Sequence, residues 1–330
     1  MSNSTTTPTS SLAAAIAAHL ESLTASGYAT ATVTARRVHL TRFTSWGEPR
    51  GLLALNDLTP GVLDAYRAWL AAWRTVDGQP LAWSTHAQHL SALKLLCAWA
   101  TRSKRLAVNP AAELTLPRSP KRLPRAVLSE PEVERVLAIP DVTTPLGLRD
   151  RAILELLYST GLRRRECTTL DLPDVDPARA VVFVREGKGR KDRLVPIGDR
   201  ALHWLAQYLD HVRPRLVRGR DPTALFVSGR GTRITPHRLT DRLHRYVQAA
   251  GVGKPGSVHI FRHTMATLMH DGGADIRDLQ EMLGHAQLST TQLYTHVAIT
   301  RLQAVHAKTH PAAQRLARAP SSLAAIAAKQ

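Results

Sequence analysis

The chain has 330 residues, enough for two domains, and its 44% hydrophobic content excludes a disordered polypeptide. With 44 Lys and Arg against 26 Asp and Glu, the formal net charge is +18, which points to a polyanionic partner. The first basic residue is Arg36 and no apolar run approaches the ~20 residues of a membrane span, so neither a signal peptide nor a membrane partner is expected. Cys97 and Cys167 lack metal-ligand or disulfide-framework spacing, consistent with a reducing, cytoplasmic setting.

Residues 1–11 are rich in Ser and Thr and read as a flexible start. Residues 12–116 read as a helical domain of about four helices punctuated by Pro49, Pro60 and Pro80. From Ser84, the residues Leu90, Leu93, Leu96, Cys97 and Ala100 share one helical face, and Arg102, Lys104 and Arg105 suit a helix C-terminus. Residues 117–128 then read as a basic, Pro-rich linker. Pro117, Pro120 and Pro124 exclude a continuous helix, and Arg118, Lys121, Arg122 and Arg125 make it either a solvated connector or a strap along a phosphate backbone.

A second domain is expected over residues 129–310. Ser129 and Glu132 form a capping box ahead of Val133, Val136 and Leu137, and a further helix runs from about Gly147 to Ser159. Val181 to Val184 and Leu194, Val195 and Ile197 predict a hairpin across Glu186-Gly187-Lys188-Gly189. Thr235 and Pro236 open another helix that Gly251 closes, and the remainder is helical with breaks at Gly272-Gly273 and Gly284. Pro311 starts an Ala-rich tail, residues 311–330, with no evident place to pack. The fold class is therefore mainly α with a small antiparallel β-sheet.

Three stretches carry chemistry: Thr160 to Glu166 with its run of arginines, the basic hairpin tip with Lys188, Arg190, Lys191 and Arg193, and His259 to His296. Two arginines can neutralise a phosphodiester in two orientations, and Lys and His side chains add donors that exchange protons. A tyrosine supplies a nucleophile whose proton, with an ordinary pKa of about 10, must be taken up. This set, with no cofactor and no metal, suits phosphoryl transfer in which side-chain cations meet the charge of the transition state.

The order and spacing resemble the tyrosine recombinase (phage integrase) family, in particular its bacterial Xer-type and transposon-integrase members. The resemblance lies in Gly161-Leu162-Arg163 with Glu166, Gly187-Lys188-Gly189, His259-x-x-Arg262-His263, Leu283-Gly284-His285, and Tyr294 nine residues after His285. It is strong over residues 129–305 and weaker over 12–116, which is similar in size and helicity to the family's SAM-like core-binding domain. It implies a C-shaped clamp around double-stranded DNA carrying specific recombination sites, with a homo-tetramer or paired recombinase at the synapse. Arg163 and Arg262 would clamp the scissile phosphate and His285 would add a hydrogen bond. His259 would handle the tyrosine proton, Lys188 would protonate the leaving 5′-hydroxyl, and Tyr294 would form a 3′-phosphotyrosine link. Arg165 and Cys167 depart from the small residue and Leu that often flank the Glu.

Other readings stand beside this one. Glu166 and His263 read as supports, and Lys191 competes with Lys188 for the general acid. A zinc hydrolase built on His259 and His263 lacks the glutamate after the first His, since Ile260 stands there. A type IB topoisomerase-like enzyme shares the chemistry, whereas a non-catalytic DNA-binding descendant would have lost a site residue. Beyond Val297, the residues Ile299, Leu302, Val305 and His306 are spaced to present an apolar stripe either to a neighbouring protomer or back to their own domain.

Overall fold

The structure is a computed structural model and describes residues 11–117, 126–185, 192–217, 221–284 and 296–314. The chain divides into two compact units, Met1–Leu123 and Pro124–Gln330. The described residues are mainly helical with one small antiparallel sheet, as the sequence pattern requires.

In the first unit, α1 (Leu12–Ala25), α2 (Thr30–Gly47), α3 (Pro60–Ala72) and α4 (Trp83–Arg102) bury one shared core. Ser11 caps α1 by accepting from the Ala14 N–H, and Thr59 caps α3 ahead of Pro60, where the missing N–H costs nothing. Phe43, Leu63, Tyr66, Leu90, Leu96 and Cys97 are fully buried between these helices. Pro49 lies between α2 and α3 as the punctuation predicts, within a short 3₁₀ turn, Glu48–Arg50, that follows the end of α2.

The second unit begins with α5 (Glu130–Ala138), where the Glu132 carboxylate accepts from the Ser129 N–H at 2.7 Å and completes the capping box read from the sequence. The next helix, α6 (Pro145–Thr160), is buried on nearly every side from Ala152 to Thr160 and is the centre of the unit. After α7 (Arg164–Thr169) come β1 (Val175–Asp176), β2 (Val181–Val184) and β3 (Arg193–Pro196), hydrogen-bonded in that order. In the β2–β3 register Val182 faces Val195 and Val184 faces Arg193. β1 was not expected, because two residues are too short to show alternation. The turn holding Lys188, Arg190 and Lys191 lies outside the described residues.

The unit continues through α8 (Asp199–His211), α9 (Arg213–Leu216), α10 (Pro236–Ala249), α11 (Val258–Asp271) and α12 (Ile276–Leu283). Asp150 of α6 is wholly buried and accepts from Arg149, from Arg242 at 2.8 Å and from the Tyr246 hydroxyl at 2.5 Å, which fastens α10 to α6.

Last come α13 (His296–Thr309) and α14 (Pro311–Gln314). The stripe on α13 is turned into its own unit: Ile299 and Leu302 are buried, and His306 and His310 lie against the end of α6. Pro311 and Ala312, assigned from the sequence to a tail without a packing place, are buried there too.

Candidate active site

The site grows from two glycine turns. At the end of α6, Gly161 has φ +60°, and a Cβ there would lie 2.5 Å from the Met265 methyl and 3.0 Å from Leu283. Only glycine meets both the left-handed conformation and the close approach of α11 and α12. At the end of α12, Gly284 has φ +66°, and its Cα side lies against the Arg193 side chain. These turns bring carbonyl oxygens to the arginines.

Arg262, one turn into α11, is buried, and its Nη1 and Nη2 donate to the Gly161 and Leu283 carbonyls, each at 2.7 Å. Burial, and next the charge of Arg163, lower its pKa to about 10. It is a cation at neutral pH.

Arg163 stands at the N-terminus of α7. Its backbone N–H donates to Glu166 Oε2 at 2.7 Å, its Nη1 to Glu166 Oε1 at 2.7 Å, and its Nη2 to the Gly284 carbonyl at 3.3 Å. Its side chain is 22% exposed, so it can meet a ligand from solvent. Arg164 and Arg165 beside it are exposed, while Cys167 is buried and its thiol is pushed up to about 12 by burial, which makes it core and not a nucleophile.

Glu166 is shared. Arg193 of β3 donates to both of its oxygens, at 2.9 and 2.8 Å, and Arg193 Nε donates to the Met282 carbonyl at 3.0 Å. Burial alone would raise the Glu166 pKa, but the hydrogen bonds and charge of Arg193, with the Arg163 N–H, outweigh it and hold the carboxyl at about 2. One carboxylate thus lies among the three guanidiniums of Arg163, Arg193 and Arg262, an excess of positive charge suited to a phosphate.

Arg163 and Arg262 therefore lie near enough for their charges to interact, and Glu166 holds Arg163, the buttressing role expected of it. His259 lies on the exposed side of the first turn of α11, four residues before the half-buried His263. Lys188, His285 and Tyr294 lie outside the described residues. Among the described residues no group of three or more His, Cys, Asp or Glu could hold a metal ion, and no helix is long and apolar enough to cross a membrane. Sequence reasoning placed Arg193 among the basic residues of the hairpin tip and missed its inward position. The signal was present: Arg193, Val195 and Ile197 alternate, which sets Arg193 on the face of β3 that carries the apolar residues.

Residues 126–301 match the phage integrase family. The chain is 50% identical over 295 residues to tyrosine recombinase XerC 2 of Ralstonia nicotianae, covering 89% of this chain and 85% of that protein. It is 42% identical to tyrosine recombinase XerD of Pseudomonas aeruginosa, covering 86% and 93%. Its fold is similar, at a TM-score of 0.65 and 18% identity, to a lambda integrase dimer bound to a COC′ core site, covering 87% of this chain and 98% of that one. With more than half its length matched and relatives this similar along most of the rest, the chain belongs to the phage integrase family of tyrosine recombinases.

Proposed function

We propose that this enzyme recombines specific DNA sites by cutting and rejoining strands through a covalent link to Tyr294. The observation that carries the reading is the convergence of Arg163 and Arg262 on the two glycine turns around Glu166. That arrangement supplies fixed cations for the charge that grows on the non-bridging oxygens of the transition state.

In this reading the Tyr294 hydroxyl attacks the scissile phosphorus, the bond to the 5′ oxygen breaks, and a 3′-phosphotyrosine remains. His259 takes part in removing the tyrosine proton, Lys188 gives a proton to the leaving 5′ oxygen, and His285 donates a hydrogen bond to the phosphate. The new ester replaces the old one in kind, so an incoming 5′-hydroxyl reverses the step without ATP. The partner is double-stranded DNA in the cytoplasm, and exchange of four strands calls for four protomers on two sites.

The test uses a duplex carrying the site that the wild-type protein selects from a randomised DNA pool, nicked beside the cleavage position. Wild type traps a protein–DNA adduct, and Tyr294→Phe binds the duplex without forming one. An adduct formed by Tyr294→Phe at the wild-type level overturns the assignment. Recombination between two such sites separates this function from relaxation of supercoils by a topoisomerase-like enzyme, which needs no second site.

A further inference from the structure

Arg193 is buried, with 4% of its side chain exposed, and cannot itself meet a phosphate from solvent. It nevertheless spends its whole fork on the residue that holds Arg163: each oxygen of Glu166 accepts one hydrogen bond from Arg193 and one from Arg163. A planar fork against a carboxylate fixes direction as well as distance, which a lysine ammonium does not. The same side chain binds the Met282 carbonyl, and a Cβ on Gly284 would lie 3.0 to 3.3 Å from its Cδ, Nε and Cζ. Arg193 therefore also supports the turn whose Gly284 carbonyl accepts from Arg163.

We infer that Arg193 is a positioning residue for cleavage, holding Glu166 and the Gly284 turn so that Arg163 stays aimed and keeps its charge for the phosphate. The charge count gives the reason. With Arg193 present, two guanidiniums share one carboxylate and the cluster retains a net positive charge at the partly exposed Arg163. Without Arg193, Glu166 and Arg163 neutralise each other, and the released carboxylate is able to turn and draw the guanidinium inward. Arg193 opens β3, directly after the turn that holds Lys188, so one side chain also ties the strand behind that turn to the Arg163 support.

This inference rests on the proposed role of Arg163, and the experiment keeps the two apart. Cleavage of the nicked duplex is timed in a single turnover, with binding by gel shift and thermal melting measured alongside. Arg193→Met is expected to bind DNA as wild type does and to cleave up to about 10²-fold more slowly, the scale of a misplaced reacting group. Arg193→Lys, which keeps the charge and loses the fork, is expected to fall between. The deciding variant is Arg193→Met combined with Glu166→Gln. It removes the carboxylate that would neutralise Arg163, leaves a Gln oxygen to accept from the Arg163 N–H, and should recover part of the lost rate. A structural role predicts the opposite, since a second lost partner lowers the rate further. Cleavage by Arg193→Met or Arg193→Lys at the wild-type rate, or a double variant slower than Arg193→Met alone, overturns the inference while Arg163→Ala stays slowed about 10²–10³-fold. Wild-type cleavage by Arg163→Ala overturns the underlying reading of the clamp instead.

Discussion

Arg262 shows at the scale of one residue how position and chemistry combine. Its guanidinium is pinned by two carbonyls that belong to two different turns, so its remaining donors are aimed before any ligand arrives. Arg262→Ala and Arg163→Ala are each expected to slow cleavage about 10²–10³-fold, or ~3–4 kcal/mol, while affinity stays near normal because either change removes only one of the chain's 44 Lys and Arg residues. Single-turnover rates against gel-shift affinities check this, and a rate within a few-fold of wild type removes that residue from the clamp. Gly161→Ala forces a Cβ into Met265 and Leu283 at positive φ, and it moves the carbonyl that holds Arg262. It should cost about 2 kcal/mol or more in the urea unfolding of the second unit and slow cleavage as well. These residues were legible because glycine, arginine and histidine at fixed intervals have few other uses. Arg193 was harder to read, since a basic residue beside a basic turn reads as a solvated one unless its alternation with Val195 and Ile197 is weighed against it. Held at about 2 by Arg193 and Arg163, Glu166 stays ionised across the neutral range, so the arginine geometry there does not depend on its titration. The pH dependence of cleavage then belongs to other groups.

At the scale of elements, α13 behaves as part of the core and not as a free arm. Its inward face is made of Ile299, Leu302 and His306, and the following His310 donates from Nε2 to the Tyr158 carbonyl while its Nδ1 accepts from the Ala312 N–H. This pattern fixes the neutral tautomer, and burial, then the neighbouring His306, hold its pKa well below the usual 6.5. His306 is lowered as well, chiefly by burial, with the Ser159 carbonyl and the Asp199 charge opposing. The docked form thus binds fewer protons than the undocked one, so docking is intact above about 6.5 and weakens as pH falls below it. Hydrogen exchange of the α13 amides should rise in acid, and His310→Phe should flatten that rise. Unchanged exchange of the wild-type amides between neutral and acidic pH counts against this docking. Truncation after Thr300 removes Leu302, His306 and His310 together and should destabilise the second unit by on the order of 4 kcal/mol or more, seen in its melting. The helical spacing of α13 was readable in advance, but which surface it covers was not. Periodicity names a buried face without naming what buries it.

For the whole molecule, the +18 charge implies that affinity for DNA falls steeply as salt rises, through release of counterions from the phosphates. Cleavage should proceed in EDTA if, as proposed, guanidinium, imidazole and ammonium groups supply the cations. Loss in chelator that magnesium or zinc restores would favour a nuclease. The first unit shares the acid sensitivity of the second. His19 and His89 are lowered to about 4, burial being the first cause in both, so this unit is expected to melt earlier as pH drops through the range below 6.5. The fused Glu166–Arg193 contact also has a consequence over generations of descent. Loss of Glu166 alone strands the buried guanidinium of Arg193 at a cost of about 3–5 kcal/mol, while loss of Arg193 alone leaves Glu166 paired with Arg163. Descendants of this gene should therefore tolerate change at position 193 beside an unchanged Glu166 more readily than the reverse, and a lineage that loses Glu166 while keeping Arg193 would show that the buried contact is dispensable.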